Sequence, residues 1–522
     1  MSNPYHLALP VIALGATLFS LGAQTVSNPC PANPPLPGQA SSAAWNGWGA
    51  GLSNSRFQTA GAAHLAADQV PKLKLKWAFG LAGAKQVFGE PVVASGRVFV
   101  SDDTGAVYSL NAETGCEYWK YQAEAGVRTA VSIRYAKPAA MAYFGDLKAN
   151  VYAVDARNGT LVWKVRADEH PTARITGAPQ VFEDRVYVPV ASGEEGASSN
   201  PKYPCCSFRG SVLALDAATG KQIWKTYTIA GAPKIVSKNA NGVSRWAPAG
   251  GGVWSTPTID PKRRAVYVGT GDAYTNPAPD TTDAILALDL DSGKVLWSVQ
   301  GTAHDAWVVG CMSPKPLENC PKDFGPDQDF GSPPILHELA GGRTLLIAGQ
   351  KSGNVWAYDP DRKGAVVWRT ALVNNTKEFG GKIVWGGAAD DEAAYFGLGT
   401  GGIGAVGIRD GELRWFTHLA PVQGESRYAG QDGPLAAIPG VIFSGGWDGV
   451  LRALAAAHGK IVWQFDTARE FQTVNGVMAR GGSMGAAGPV VAGGMLFVPS
   501  GYLGVRNGMP GNVLLAFASQ GE

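Results

Sequence analysis

One phrase recurs along this chain and sets what it can fold into. A β-rich run leads into a turn of the form Asp-x-x-x-Gly, and a second run ends in tryptophan. It reads VYSLNAETGCEYW (Val107 to Trp119), VYAVDARNGTLVW (Val151 to Trp163), VLALDAATGKQIW (Val212 to Trp224) and ILALDLDSGKVLW (Ile285 to Trp297). Looser copies are VWAYDPDRKGAVVW (Val355 to Trp368), AVGIRDGELRW (Ala405 to Trp415) and LRALAAAHGKIVW (Leu451 to Trp463). A unit of strand, tight turn and strand cannot bury its own apolar face, so it must stack on its neighbours. The spacing runs from 42 residues (Trp77 to Trp119) to 73 (Trp224 to Trp297), which suits propeller blades. Trp77, in LKLKWAFG, is a closing strand without a partner ahead of it. NVLLAF (Asn512 to Phe517) is a strand without the tryptophan half behind it. Joined, the two ends make one blade and close the ring. The expected fold is all-β: an eight-bladed β-propeller over 45–522, with tryptophan-docking repeats.

Length alone would allow two or three domains for 522 residues, but the repeat overrides that prior. Only 16% of residues are charged, the formal net charge is +2, and no basic face stands out. Nucleic acid is therefore not an expected partner. The apolar stretch Leu7 to Leu21, followed by Leu21-Gly22-Ala23, reads as a secretory signal over 1–23, although no Lys or Arg precedes it. An uncleaved anchor is the alternative, but the stretch is short for a membrane span, and no later segment could span one. A Pro-rich linker follows over 24–44.

The six cysteines are an even set and fit an oxidising compartment, periplasmic or extracellular. Cys311 and Cys320 bracket a short loop and are expected to pair, as are Cys30 and Cys116. Cys205 and Cys206 are adjacent: either a vicinal disulfide, which forces an unusual ring, or two separate thiols. No Cys-x-x-Cys-His occurs, which argues against covalent c-type haem.

A propeller does not by itself say what it does. The segments outside the repeats must, and they swell between Trp163 and Trp368. RITGAPQVFEDRVYVPVASGEEG (Arg174 to Gly196) ends in two carboxylates. GGGVWSTPTIDPKRRAVYVGTGDAY (Gly250 to Tyr274) has a Trp before a strand and an Asp after it. GPDQDFGSPPIL (Gly325 to Leu336) is acidic, and LLIAGQKSGNVWAYD (Leu345 to Asp359) carries a lone Lys at a turn. Carboxylates from separate blades meeting on one axis would suit a hard cation such as Ca²⁺. A Trp face would hold a flat ring, and a Lys would polarise a carbonyl or anionic oxygen.

These segments resemble the pyrroloquinoline quinone (PQQ)-dependent alcohol dehydrogenases, eight-bladed quinoproteins, from about Trp45 to the C-terminus. The chain is most similar to the polyvinyl alcohol dehydrogenase subgroup, through WNGWGAGLSNSRFQ (Trp45 to Gln58), CCSFRGSVLALDAATGK (Cys205 to Lys221) and the tail beginning FQTVNGVMARGGS. The resemblance implies a cofactor pair, PQQ and Ca²⁺, and a residue set. Thr176 matches a quinone contact, Trp254 the Trp beneath the quinone, and Lys351 the basic residue at its carbonyl oxygens. Arg128 is placed at a quinone carboxylate and Trp385 at the roof of the cavity. Glu194 (with Glu195 as fallback), Asp272 and Asp329 match the metal positions, Asp272 standing where the family usually has Asn. Asp329 is the expected general base, with Asp305 in HDAW as its rival, because an insertion holding Cys311 and Cys320 separates the two. Cys205 and Cys206 are expected over the quinone, although they follow Glu194 rather than lying in an earlier blade. Gly331 stands where lanthanide-using members carry an extra Asp, which favours Ca²⁺.

The implied activity is oxidation of secondary alcohols, polyvinyl alcohol or a similarly bulky one, to ketones. Since no cytochrome c motif is present, electrons are expected to leave to an external acceptor such as cytochrome c. The alternatives are a non-enzymatic exported propeller scaffold, or a PQQ dehydrogenase for another alcohol, sugar or aldehyde. Glycine-rich segments around 380–387, 397–404 and 481–488 hint at an open cavity mouth.

Overall fold

The computed structural model describes residues 28–36, 43–136, 139–373, 382–419, 427–504 and 508–519. The expected signal over 1–23 lies outside the described residues, as does the linker apart from 28–36 and 43–44. Eight antiparallel sheets, seven of four strands and one of five, are arranged as the blades of a propeller. Blade 1 runs Val92–Ala94, Arg97–Ser101, Ala106–Asn111 and Glu117–Gln122. Blades 2 to 7 follow in order over 132–166, 173–227, 258–300, 335–371, 388–418 and 436–466. In blade 8 the strand Leu73–Gly80 pairs antiparallel with Val513–Ser519, beside Met495–Ser500 and Val490–Ala492. The two unpaired halves seen in the sequence thus close the ring with each other.

The repeat phrase has a direct packing cause. Its Gly and its Trp meet across the junction between blades. Gly159 has φ +74°, and a Cβ there would lie 2.8 Å from the ring of Trp119 in the preceding blade. Only glycine offers both the left-handed turn and the room. Trp119 then donates Nε1–H to Ala156 O at 3.0 Å. The same dock repeats with Trp163 on Ala217 O (3.0 Å), Trp224 on Leu290 O (3.3 Å), Trp368 on Ile408 O (2.9 Å) and Trp415 on Ala456 O (2.8 Å). Trp77 of blade 8 donates to Ala112 O of blade 1 at 3.1 Å, so the dock also seals the closure.

Three disulfides pin the periphery: Cys30–Cys116, Cys311–Cys320 and the vicinal Cys205–Cys206. The first ties the 28–36 segment to blade 1, where Arg97 also donates to Asn33 Oδ1 at 2.6 Å and Pro34 O at 2.7 Å. Three glycines of the segments 397–404 and 481–488 face close contacts rather than open space. A Cβ on Gly397 would strike Gln431 O, one on Gly482 would strike Met509 O, and one on Gly485 would strike the ring of Tyr502. They are points of closest approach between neighbouring segments, the other reason a chain keeps glycine. No helix among the described residues is long and apolar enough to cross a membrane.

Candidate active site

In an antiparallel blade, the start of the first strand and the turn between the second and third strands lie at the same end. Those two places supply the site. Arg128, Thr176, Trp254, Asp329 and Trp385 each stand a few residues ahead of the first strand of a blade. Lys351 lies in the turn after Thr344–Gly349, and Asp272 follows Ala265–Gly269. The equivalent turn residues Leu147 and Trp447 join Phe88, Tyr502 and Trp385 in one aromatic cluster drawn from five blades, which marks the centre of the ring.

Trp254 is the hub. Its Nε1–H donates to Asp329 Oδ2 at 3.0 Å, its carbonyl accepts from Thr176 Oγ1 at 3.1 Å, and Lys351 Nζ lies 5.4 Å from its ring centre. Trp385 stands at 82° to it with ring centres 5.1 Å apart, so it is a side wall rather than a parallel roof. The Arg128 guanidinium covers Trp385 at 4.1 Å. Lys351 Nζ donates to Asp327 Oδ1 at 2.6 Å and forms an ion pair with Asp329 Oδ1 at 2.8 Å, while Lys382 closes on Asp327 Oδ2. Burial works against the Lys351 charge, yet Asp327, Asp329 and Asp272 hold its pKa well above the ordinary lysine value. Burial pushes the Asp327 carboxyl up as well, and the two lysines more than reverse it. Asp329 and Asp272 are pushed up, first by burial and then by their acidic neighbours.

Asp305 belongs to the same cluster, and each of its two oxygens accepts one backbone N–H and keeps a further lone pair. They accept the backbone N–H groups of Asp327 (3.2 Å) and Gln328 (2.8 Å), which shapes the turn carrying Asp327 and Asp329. Glu194 is turned away from the cluster. Its carboxylate accepts from Tyr203 Oη at 3.0 Å, Ser207 N at 2.8 Å and Phe208 N at 2.7 Å. These bonds hold the loop that follows the vicinal disulfide. The neighbouring Glu195 instead faces Lys351, Asp327 and Asp329, and burial, opposed by Lys351 and aided by the two aspartates, raises its pKa to about 7. The two side chains of this acidic turn take different partners, and the gap-free match picked the buried Glu194, which serves the Tyr203–Phe208 loop. Cys205 and Cys206 are buried in an apolar cluster with Phe208, Tyr274 and Trp307, and Trp246 bonds their backbone through Cys205 O and Cys206 N. Glu194 thus links them to the turn bearing Glu195. Gly331 packs against Trp254, whose ring occupies the space a side chain there would need.

Sequence reasoning missed four charged groups. Asp327 and Lys382 complete the lysine–carboxylate network. Asp283 joins Asp272 and Asp305. Arg174 lies within electrostatic reach of both Arg128 and Glu195. Burial lowers the pKa of both arginines, and neither has an ion-pair partner among the described residues. Asp327 alone had a visible signal, standing two residues from Asp329.

The residues fit a flat anionic group together with a hard cation. Among the described residues, Asp272 Oδ1 and both oxygens of Asp283 are buried without a donor group, the two carboxyls facing each other, and Asp329 Oδ1 has only its ion pair. Buried carboxylate oxygens are normally satisfied, and oxygen-only donor sets suit Ca²⁺. Arg128 and Arg174 offer two desolvated guanidinium groups for carboxylates, and Trp254 offers a ring face.

A family model described as "Glucose/ethanol/alcohol dehydrogenase, beta-propeller domain" matches residues 45–328, and one described as "Outer membrane protein assembly factor BamB" matches 351–481 and 399–519. A polyvinylalcohol dehydrogenase of Pseudomonas sp. is 41% identical, covering 92% of this chain and 77% of that protein. A second, from Sphingopyxis sp. (strain 113P3), is 40% identical with the same coverage. The crystal structure of quinohemoprotein alcohol dehydrogenase from Comamonas testosteroni superposes with a TM-score of 0.68 at 19% identity, covering 92% of this chain and 81% of that one.

Proposed function

The chain belongs to the PQQ-dependent alcohol dehydrogenases, a family of quinoprotein oxidoreductases, and from that premise we propose that it oxidises bulky secondary alcohols such as polyvinyl alcohol to ketones. The observation that carries the reading is the convergence at the ring centre. The buried Asp272 Oδ1, which has no donor, and the Asp329 carboxylate meet Lys351, two arginines with no ion-pair partner among the described residues, and the Trp254 face. Identity above 40% to one polyvinylalcohol dehydrogenase and of 40% to another supports the substrate class.

Asp272, Asp329 and Glu195 would hold Ca²⁺. Trp254 and Thr176 would hold the quinone ring, Arg128 and Arg174 its carboxylates, and Lys351 its carbonyl oxygens. When bound, PQQ supplies the two-electron acceptor for the alcohol carbon, and Ca²⁺ supplies Lewis-acid polarisation. The protein's part is positioning and proton transfer. Asp329 takes the alcohol proton, with Oδ2 oriented by Trp254 Nε1 and its charge balanced by Lys351. The contacts of Asp329 with Trp254 and Lys351 support it as the base, and Asp305, which accepts two backbone amides of the turn carrying Asp329, positions it. Three disulfides support a periplasmic location. Reoxidation then falls to an external acceptor such as cytochrome c.

The test is reconstitution of the purified protein with PQQ and Ca²⁺, followed by dye-linked oxidation of a secondary-alcohol panel that includes polyvinyl alcohol. Activity that needs both additions is expected, with the polymer or its oligomers among the best substrates. Preference for small primary alcohols, sugars or aldehydes would move the chain to another substrate class within the family.

A further inference from the structure

We propose that the ring centre holds a second divalent cation beside the first, on Asp272, Asp283 and Asp305, with Asp272 shared between the two. One ligand oxygen from each of these three residues lies within 4.8 Å of the others, and the same holds for Asp272, Asp327 and Asp329. The two trios meet at Asp272, the arrangement of a carboxylate-bridged pair of ions.

Asp283 is the informative member. It is fully buried, and neither of its oxygens has a donor N–H or O–H among the described residues; the group beside it is the Asp272 carboxylate. Nothing assigned to the proposed cofactor set uses it. Its backbone is held on both sides: Asp283 N donates to Gly271 O at 3.1 Å, and Asp283 O accepts from Gly301 N at 2.7 Å. Its φ of 50° is left-handed, a conformation that costs energy in a non-glycine residue and collects at functional sites. The carboxylate is therefore held in a buried position beside the Asp272 carboxyl, whose Oδ1 likewise has no donor among the described residues.

Charge points the same way. Glu195, Asp272, Asp283, Asp305, Asp327 and Asp329 are six mutually interacting carboxylates, faced by the ammonium groups of Lys351 and Lys382. Lys351 spends its bonds on Asp327 and Asp329. Among the described residues the carboxylates outnumber these ammonium groups, and the surplus of buried acceptor oxygens is what a second cation would complete. An all-oxygen carboxylate trio selects a hard ion: Ca²⁺, Mg²⁺ or Mn²⁺.

The proposal rests on the reading of Asp272 and Asp329 as ion ligands, so the test counts ions and cofactor separately. PQQ-loaded protein is dialysed to equilibrium against radiolabelled Ca²⁺, and bound Ca²⁺ and PQQ are measured per chain. Wild type is expected to bind two Ca²⁺ and one PQQ, and Asp283→Asn one Ca²⁺ with PQQ retained. One Ca²⁺ in wild type, whether or not Asp283→Asn keeps it, overturns the second site while leaving the quinoprotein reading intact. In that case Asp283 shares a proton with Asp272 or serves the single ion. No Ca²⁺ and no PQQ overturns both. The wild-type count decides the matter should Asp283→Asn fail to fold, and Asp305→Asn provides a second variant for the drop from two to one.

Discussion

Arg56 and Lys351 are both buried cations facing carboxylates, and their surroundings differ in what is left over. Arg56 lies on the N-terminal segment and uses its whole guanidinium. Nε donates to Leu435 O, Nη1 to Trp48 O at 2.7 Å and Nη2 to Pro489 O at 2.9 Å, while Glu90 pairs with Nη1 at 2.5 Å. Glu90 Oε2 accepts Gly488 N at 2.8 Å, and the Trp48 ring lies 4.7 Å from the guanidinium. This cluster joins the N-terminal segment to the segments leading into blades 1, 7 and 8, across the seam where the ring closes. Around Lys351 the carboxylates outnumber the cations, and several oxygens are bonded to nothing. A buried cation whose donors are all taken up fastens a fold, whereas surplus buried carboxylate oxygens mark where a ligand completes the site.

Four measurements can break or sharpen this contrast. The largest effect is expected at the open cluster. Asp329→Asn should lower kcat by about 10³-fold, within the range for loss of a positioned base, while PQQ absorbance shows the cofactor still bound. Near-full activity would shift the role of base to Asp305. At the closed cluster, Arg56→Met leaves Glu90 buried and unpaired, so unfolding in denaturant should show a loss of about 3–5 kcal/mol. If Arg56→Met instead weakened cofactor binding at unchanged stability, the division between fastening and functional clusters would fail.

Trp254→Ala should weaken PQQ retention by about tenfold, as expected for loss of one aromatic stacking contact, with a small change in stability. Unchanged affinity would remove Trp254 from the cofactor surface. The smallest effect is on pH dependence. Glu90 and Glu195 both have folded pKa values raised to about 7 from 4.5, chiefly by burial. Each therefore contributes stability that is full below about pH 4.5 and lost as pH rises through about 7. The metal-free protein should lose Tm between pH 5 and 8. Ca²⁺ should restore it more at pH 8, where the site carboxylates are ionised. Glu90→Gln should flatten the pH slope without changing the Ca²⁺ response, and Glu195→Gln should reduce both.

The periphery was legible in the sequence because each packing partner sits inside the same short phrase. Gly159 and Trp163 are four residues apart, yet each docks on a different neighbouring blade, so the phrase encodes both sides of every junction. The Trp77 and Asn512 half-phrases were readable as one blade for the same reason. At the site, Thr176, Trp254, Asp272, Asp329 and Lys351 were picked through the resemblance to the quinoprotein dehydrogenases, and all five stand at blade starts and turns. Glu194 was picked over Glu195, and Asp283, Lys382 and Arg174 were passed over, because no local pattern separates an inward charge from an outward one. Trp385 was identified, but its 82° tilt to Trp254 could not be.

By itself the sequence determined eight blades, their docking and the closure of the ring, since those contacts repeat with a fixed local period. Only the tertiary structure decided which acids form the central cluster. Asp272, Asp283, Asp305, Asp327 and Asp329 span 58 positions of chain, from 272 to 329 inclusive, and reach ligand distance only through the ring geometry. Which way each carboxylate points is set by the backbone amides and lysines that happen to face it, and that information is held between blades rather than within any one of them.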